Sequence, residues 1–255
     1  FRAGLLHRRG MLLEARKLPV AERAAAHYFR FLLRRAFTRV WLGGVPFPDG
    51  PSPSIAFLNH SAWWDPILTQ FLSWWVLERD GYGLFRGEEL QRYPFFRRLG
   101  CFGITTERLD DLRALPPYAA SLLTGDGRRT LWVVPQGEML PARVPLAFRS
   151  LLARTARLVP AVPIVPVAVR YEFRLDQRAE CFVRVGEATH AQPNETAVML
   201  TRRLEQRLKR ELALLDADLA QPGVRHFRPV LEGLGSVSAF YDHTFGRIQY
   251  LRRNA

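Results

Sequence analysis

Ser54-Ile55-Ala56-Phe57-Leu58-Asn59-His60-Ser61-Ala62-Trp63-Trp64-Asp65-Pro66 is the stretch on which the reading of this chain turns. The apolar run from Ser54 to Leu58 predicts a buried strand. Asp65-Pro66 predicts a helix start, with the aspartate as N-cap and the proline in the first turn. On one straight helix, residues five apart would point about 140° away from each other, since each residue turns about 100°. His60 and Asp65 can therefore meet only across a loop, and the Asp-Pro helix start supplies one. An aspartate on one imidazole nitrogen fixes the tautomer and makes the other nitrogen a competent general base.

Outward from this segment, short apolar runs alternate with helical stretches. Strands are predicted at Tyr82–Phe85, Cys101–Ile104, Thr130–Val134, Pro163–Arg170 and Glu180–Val185. Pro116-Pro117 opens a helix that ends near Gly125, and Leu204, Leu208, Leu212, Leu215 and Leu219 mark a long closing helix with a basic face. Strands separated by helices predict an α/β fold with a mixed, largely parallel sheet flanked by helices. Pro163 and Pro166 predict an edge position or a bulge for their strand. Phe29, Leu33, Ala36 and Val40 recur at helical steps, which predicts an N-terminal helix over about 20–41, with Arg23, His27, Arg30 and Arg34 on another face. Gly43-Gly44 and the prolines at 46, 48, 51 and 53 break the chain after it. The expected organisation is an amphipathic helical segment at 1–45, a main α/β domain at 46–220 and a tail of undefined role at 221–255.

The chain has 255 residues, of which 48% are apolar and 24% charged, the mix of an ordered globular protein rather than a disordered or fibrous one. Lys+Arg number 37 against 24 Asp+Glu, a net charge of +13. Residues 1–41 hold ten bases and two acids, so +8 of that charge lies at one end. Such an end attracts phosphates, and with Phe31, Phe37 and Trp41 at the helix margin it predicts a helix lying on anionic lipid. A solvated charged face over an ordinary core stripe is the alternative. No apolar run approaches the ~18–20 residues of a membrane span; the best, Pro66 to Leu77, has twelve. The Arg-rich start does not read as a secretory signal. The expectation is a peripheral protein on the cytoplasmic face of a membrane. Cys101 and Cys181 cannot build a disulfide framework and are expected to be buried apolar residues.

Further blocks follow the histidine in a fixed order: Phe85-Arg86-Gly87-Glu88, then Gly100-Cys101-Phe102-Gly103-Ile104 leading to Arg108, then Val134-Pro135-Gln136-Gly137-Glu138, then Val162-Pro163-Ile164-Val165-Pro166-Val167. With Asn59-His60-x4-Asp65 at their head, these blocks resemble the lysophospholipid acyltransferase family, which includes the 1-acylglycerol-3-phosphate acyltransferases. The resemblance runs from about Ser54 to Arg170. It implies acyl transfer from acyl-CoA or acyl-carrier protein to a lipid alcohol, with no resident cofactor or metal. His60 would be the general base and Asp65 its orienting partner. Asn59, Ser61, Arg86, Arg108, Gln136, Gly137 and Glu138 would line the substrate site. A thioester fits a lone base, because its thiol, with a pKa of about 8.5, leaves readily and no enzyme nucleophile need be acylated. Backbone N–H groups around Ser61 or the Gly137 turn are candidate oxyanion donors.

The family's third block usually reads Glu-Gly-Thr-Arg, and here it is Gln136-Gly137-Glu138-Met139. Glu138 would repel a phosphate, which points to a neutral or sugar-bearing lipid alcohol, whereas Arg86, Arg108 and Arg143 could still serve a phosphate-bearing acceptor. Trp63, Trp64, Trp74 and Trp75 suit either core packing or an acyl-chain wall. Two other classes compete: an inactive lipid-binding relative and a basic nucleic-acid-binding protein. No recognition-helix, zinc or RNP-type motif supports the second, so nucleic acid is not an expected partner.

Overall fold

The computed structural model describes residues 12–105, 112–125, 127–174, 176–221 and 223–235. From the N-terminus come strand β1 (Leu12–Leu13), helix α1 (Pro19–Ala36), β2 (Arg39–Gly44) and β3 (Ser54–Leu58). Helix α2 (Asp65–Phe71) runs on into a π-helical turn at Leu72–Val76, followed by β4 (Asp80–Arg86), α3 (Gly87–Arg92) and a 3₁₀ turn at Pro94–Leu99. Then come β5 (Cys101–Ile104), α4 (Leu115–Ser121), β6 (Arg129–Val133), α5 (Leu151–Leu158) and β7 (Ile164–Glu172). The described chain closes with β8 (Glu180–Val185), α6 (Ala197–Leu219) and β9 (Phe227–Glu232).

The nine strands among the described residues join one sheet in the order β1-β5-β4-β6-β3-β7-β8-β2-β9. β5, β4, β6, β3 and β7 are mutually parallel, and β2 is parallel to β8. The antiparallel pairings are β1 with β5, β7 with β8 and β2 with β9. This is the mixed, largely parallel α/β sheet that the alternation of elements predicts.

Side chains alternate along each strand, so each strand feeds two cores. Ile55 and Phe57 join Leu131, Val133 and Phe182 under α4, α5 and α6, which contribute Leu115, Leu152 and the leucines at 200, 204, 208, 212 and 215. Ala56 and Leu58 point the other way, with Trp132, Val165 and Val167, to meet Ala25, Phe29 and Leu33 of α1 and Ile67, Leu68 and Phe71 of α2. Parallel strands in register bring the C-terminal ends of β3, β4, β5 and β6 to one edge of the sheet. That edge is where open α/β sheets bind ligands.

Three expectations need correction. The N-terminal helix stops at Ala36 rather than near 41, because Phe37 turns extended and Arg39–Gly44 pairs with both β8 and β9. Val40 keeps the helical spacing by coincidence; β-branched and aromatic residues here suit the pleated sheet. Phe37 and Trp41 are thereby buried, not interfacial, although Phe31 is exposed. The prolines do not put β7 at an edge, since it lies between β3 and β8. The Pro166 carbonyl accepts from Gly186, just past the end of β8. Its missing N–H therefore falls where the antiparallel ladder opens and leaves the bonding to β3 intact. Finally, the 1–45 segment lends two strands, β1 and β2, to the main sheet, and the 221–255 segment lends β9.

Helix α1 is thus core as well as surface. Leu33→Ala, at a fully buried position, is expected to lower the unfolding free energy in urea by about 3 kcal/mol within one cooperative transition. A separate early transition at unchanged main midpoint would show instead that α1 is an independent appendage.

Candidate active site

Asn59 to Trp64 form the loop between β3 and α2, at the C-terminal edge of the sheet. Asn59 starts it with a buried side chain that clamps β7: its Nδ2 donates to the Val169 carbonyl at 3.1 Å, and its Oδ1 accepts from the Val169 N–H at 2.9 Å. Both polar ends are thereby occupied, so Asn59 holds the loop rather than a substrate.

His60 is fixed at three points. Its N–H donates to Gln136 Oε1 at 3.0 Å, its carbonyl accepts from the Leu140 N–H at 3.0 Å, and its Nδ1 lies 2.7 Å from Asp65 Oδ2. A carboxylate oxygen is an acceptor, so Nδ1 carries the proton and Nε2 presents its lone pair. Nε2 has no hydrogen-bond partner among the described residues and is not a buried unpaired atom. The side chain is 19% exposed against 3% for Asp65. One nitrogen of the ring is held and the other faces out of the protein.

Asp65 does not cap α2. It is the first helical residue, with Trp64 in the cap position, and its carboxylate bends back over the preceding loop. Oδ2 accepts from the N–H groups of Ser61 at 3.0 Å and Ala62 at 3.1 Å, besides His60. Oδ1 accepts from the Tyr171 hydroxyl at 2.6 Å. The Ser61 amide is therefore spent on Asp65, and the Gly137 N–H donates to Val134 at 3.1 Å. Of the amides around Ser61 and the Gly137 turn, those of Ser61, Ala62 and Gly137 are therefore already engaged.

Of the remaining expected site residues, Gln136 is buried and serves the His60 backbone, a positioning task. Gly137 has φ +78, the left-handed region that favours glycine, so the turn needs it there. Glu138 is exposed, with Arg149 Nη2 at 3.9 Å. The charge that would repel a phosphate thus has a cation beside it that comes from outside the block. Arg86 ends β4 on the same edge of the sheet, 4.0 Å from Glu88. Arg108 lies outside the described residues. The tryptophans divide: Trp64 and Trp74 pack on the core, whereas Trp63 is 64% exposed and Trp75 is exposed with Arg30 over its ring at 4.7 Å. Both cysteines are buried, and burial pushes both thiols well above their ordinary range.

Tyr171 and Leu140 are the residues that the sequence did not announce. Tyr171 lies 106 positions from Asp65, and no local pattern links the two. The only available signal is parity: Tyr171 is two residues beyond Val169 on the same strand, so both side chains lie on the sheet face that α1 and α2 cover.

Residues 47–170 match the protein-family model named Acyltransferase. No curated protein matches the chain. Among solved structures, the 1-acyl-sn-glycerophosphate (LPA) acyltransferase PlsC from Thermotoga maritima superposes with a TM-score of 0.54 at 18% identity, covering 78% of this chain and 80% of that one. At that identity the likeness is one of fold, and the fold agrees with the α/β sheet described above. The family match spans β3, the histidine loop, the Gln136 turn and most of β7, and it marks residues 47–170 as an acyltransferase domain.

Proposed function

We propose that the protein moves a fatty acyl group from acyl-CoA or acyl-carrier protein to a lipid hydroxyl, with His60 as general base and Asp65 as its orienting partner. The observation that carries this reading is the 2.7 Å contact between His60 Nδ1 and a buried Asp65, with Nε2 left unengaged and outward. Nε2 takes the proton of the acceptor hydroxyl as its oxygen attacks the thioester carbonyl. The tetrahedral intermediate collapses, the C–S bond breaks, and the departing thiolate recovers that proton from the imidazolium. Asp65 stabilises the imidazolium meanwhile. Glu138 with Arg149 beside it leaves the charge at that turn nearly balanced, so the acceptor class spans lysophospholipids and neutral or sugar-bearing lipid alcohols.

The same reading places the protein on the cytoplasmic face of a membrane. Val20, Tyr28 and Phe31 are exposed on α1 among Arg23, His27 and Arg30, with Trp75 beside them. An exposed basic and aromatic strip of this kind suits an anionic bilayer surface. No helix among the described residues is long and apolar enough to cross a membrane.

His60→Ala is expected to reduce thiol release from acyl-CoA, measured with purified protein and a lysolipid panel, by about 10²–10⁴-fold. Equal rates in wild type and variant would remove His60 from the chemistry and leave a lipid-binding role. Gln136→Leu, which deletes the acceptor of the His60 N–H, is expected to slow the same assay about tenfold with KM unchanged. Because α1 is part of the core, membrane attachment is better tested at its surface than by truncation. Arg23→Glu with Arg30→Glu and Phe31→Ser should abolish most sedimentation with anionic vesicles while the melting temperature holds; unchanged sedimentation would move the contact elsewhere.

A further inference from the structure

Only one oxygen of Asp65 faces the histidine. The other, Oδ1, accepts from the Tyr171 hydroxyl at 2.6 Å, reached from β7, where the Tyr171 backbone pairs with Cys181 of β8. The Tyr171 ring stacks on Phe37 with centroids 5.4 Å apart and planes 26° apart, and Phe37 in turn meets Trp64 edge-on at 5.2 Å. Ring and hydroxyl are therefore held independently, the ring by aromatic packing and the hydroxyl by Asp65. Burial first, then Cys181 and Asp65 nearby, pushes the hydroxyl well above the ordinary tyrosine range, so it remains a proton donor wherever the protein is folded and active.

The terminal torsion of an aspartate is soft and roughly two-fold. With donors on Oδ2 alone, the carboxylate could rock about that torsion and carry the His60 ring with it. A donor on Oδ1 from a central strand closes off the rocking. We propose that Tyr171 is a positioning residue for acyl transfer: its hydroxyl locks the Asp65 carboxylate plane and thereby sets the direction of the outward His60 nitrogen. This rests on the reading of His60 as the base. Tyr171 touches neither the substrate nor the reacting atoms; it acts through Asp65.

Tyr171→Phe keeps the ring and its stack on Phe37 and removes one oxygen. Three measurements on the full chain test the proposal: kcat and KM with acyl-CoA and a lysolipid acceptor, the same in Asp65→Ala and in the double variant, and the low-field imidazole proton of His60 Nδ1 by NMR. The expected outcome is a kcat about tenfold lower with KM unchanged. No further loss is expected when Tyr171→Phe is added to Asp65→Ala, because both act on one element. The Nδ1 proton resonance, present in wild type and lost in His60→Ala, should shift and broaden in Tyr171→Phe. The proposal is overturned if kcat and the resonance match wild type, or if the loss adds in full on the Asp65→Ala background. The resonance is read without turnover, so it judges Tyr171 even if His60→Ala were to retain activity and the base assignment fell.

Discussion

A carboxylate taken out of water must be met by donors, because a buried acceptor left unpaired costs on the order of several kcal/mol. Asp65 is 2% exposed and is met four times: by the imidazole of His60, the amides of Ser61 and Ala62, and the hydroxyl of Tyr171. Two of those donors are backbone groups of the loop itself, so the shape of residues 59–64 and the position of the carboxylate fix each other. The histidine is oriented as a by-product of satisfying the aspartate. That is why an acid at the start of α2, rather than a base at the end of β3, is the element from which the site is built.

The sheet order supplies what the loop cannot. β3 lies between β6 and β7, so one neighbour brings Gln136 and Leu140 to the His60 backbone and the other brings Val169 to Asn59 and Tyr171 to Asp65. Parallel strands rise side by side, and their C-terminal ends open on the same edge. The 59–64 loop is therefore gripped from both sides, while Nε2 of His60 is left without a partner among the described residues. On one face of the sheet α1 and α2 share a core, which ties the basic N-terminal helix to the loop through Phe37 and Trp64. The N-terminal helix and the His60 loop thus belong to one packed unit.

The altered third block takes on a different sense in this setting. Gln136 has become a structural acceptor, Gly137 makes the turn, and Glu138 stands exposed next to a guanidinium contributed by Arg149. The block shapes the floor under His60 and leaves the charge at its rim nearly balanced. A balanced rim neither draws in nor strongly rejects a phosphate.

Much of this was legible in the chain alone. Short apolar runs marked the strands from β3 to β8, Asp65-Pro66 marked a helix start within a residue of its true place, and the five-residue spacing required the loop that is found. Those are local properties, set by propensity and by the pitch of a helix, and they need no knowledge of what lies alongside. Val40 and Pro166 misled for the complementary reason. Burial of the first and tolerance of the second depend on which strand becomes a neighbour, and periodicity carries no information about partners. The same holds for Asn59, Gln136 and Tyr171, whose roles follow from hydrogen bonds across 76 to 110 residues of sequence. Spacing required His60 and Asp65 to meet across a loop if they were to meet at all; what holds that pair in place was set by the strand order, because donors and acceptors distant along the chain become neighbours only once the sheet has assembled.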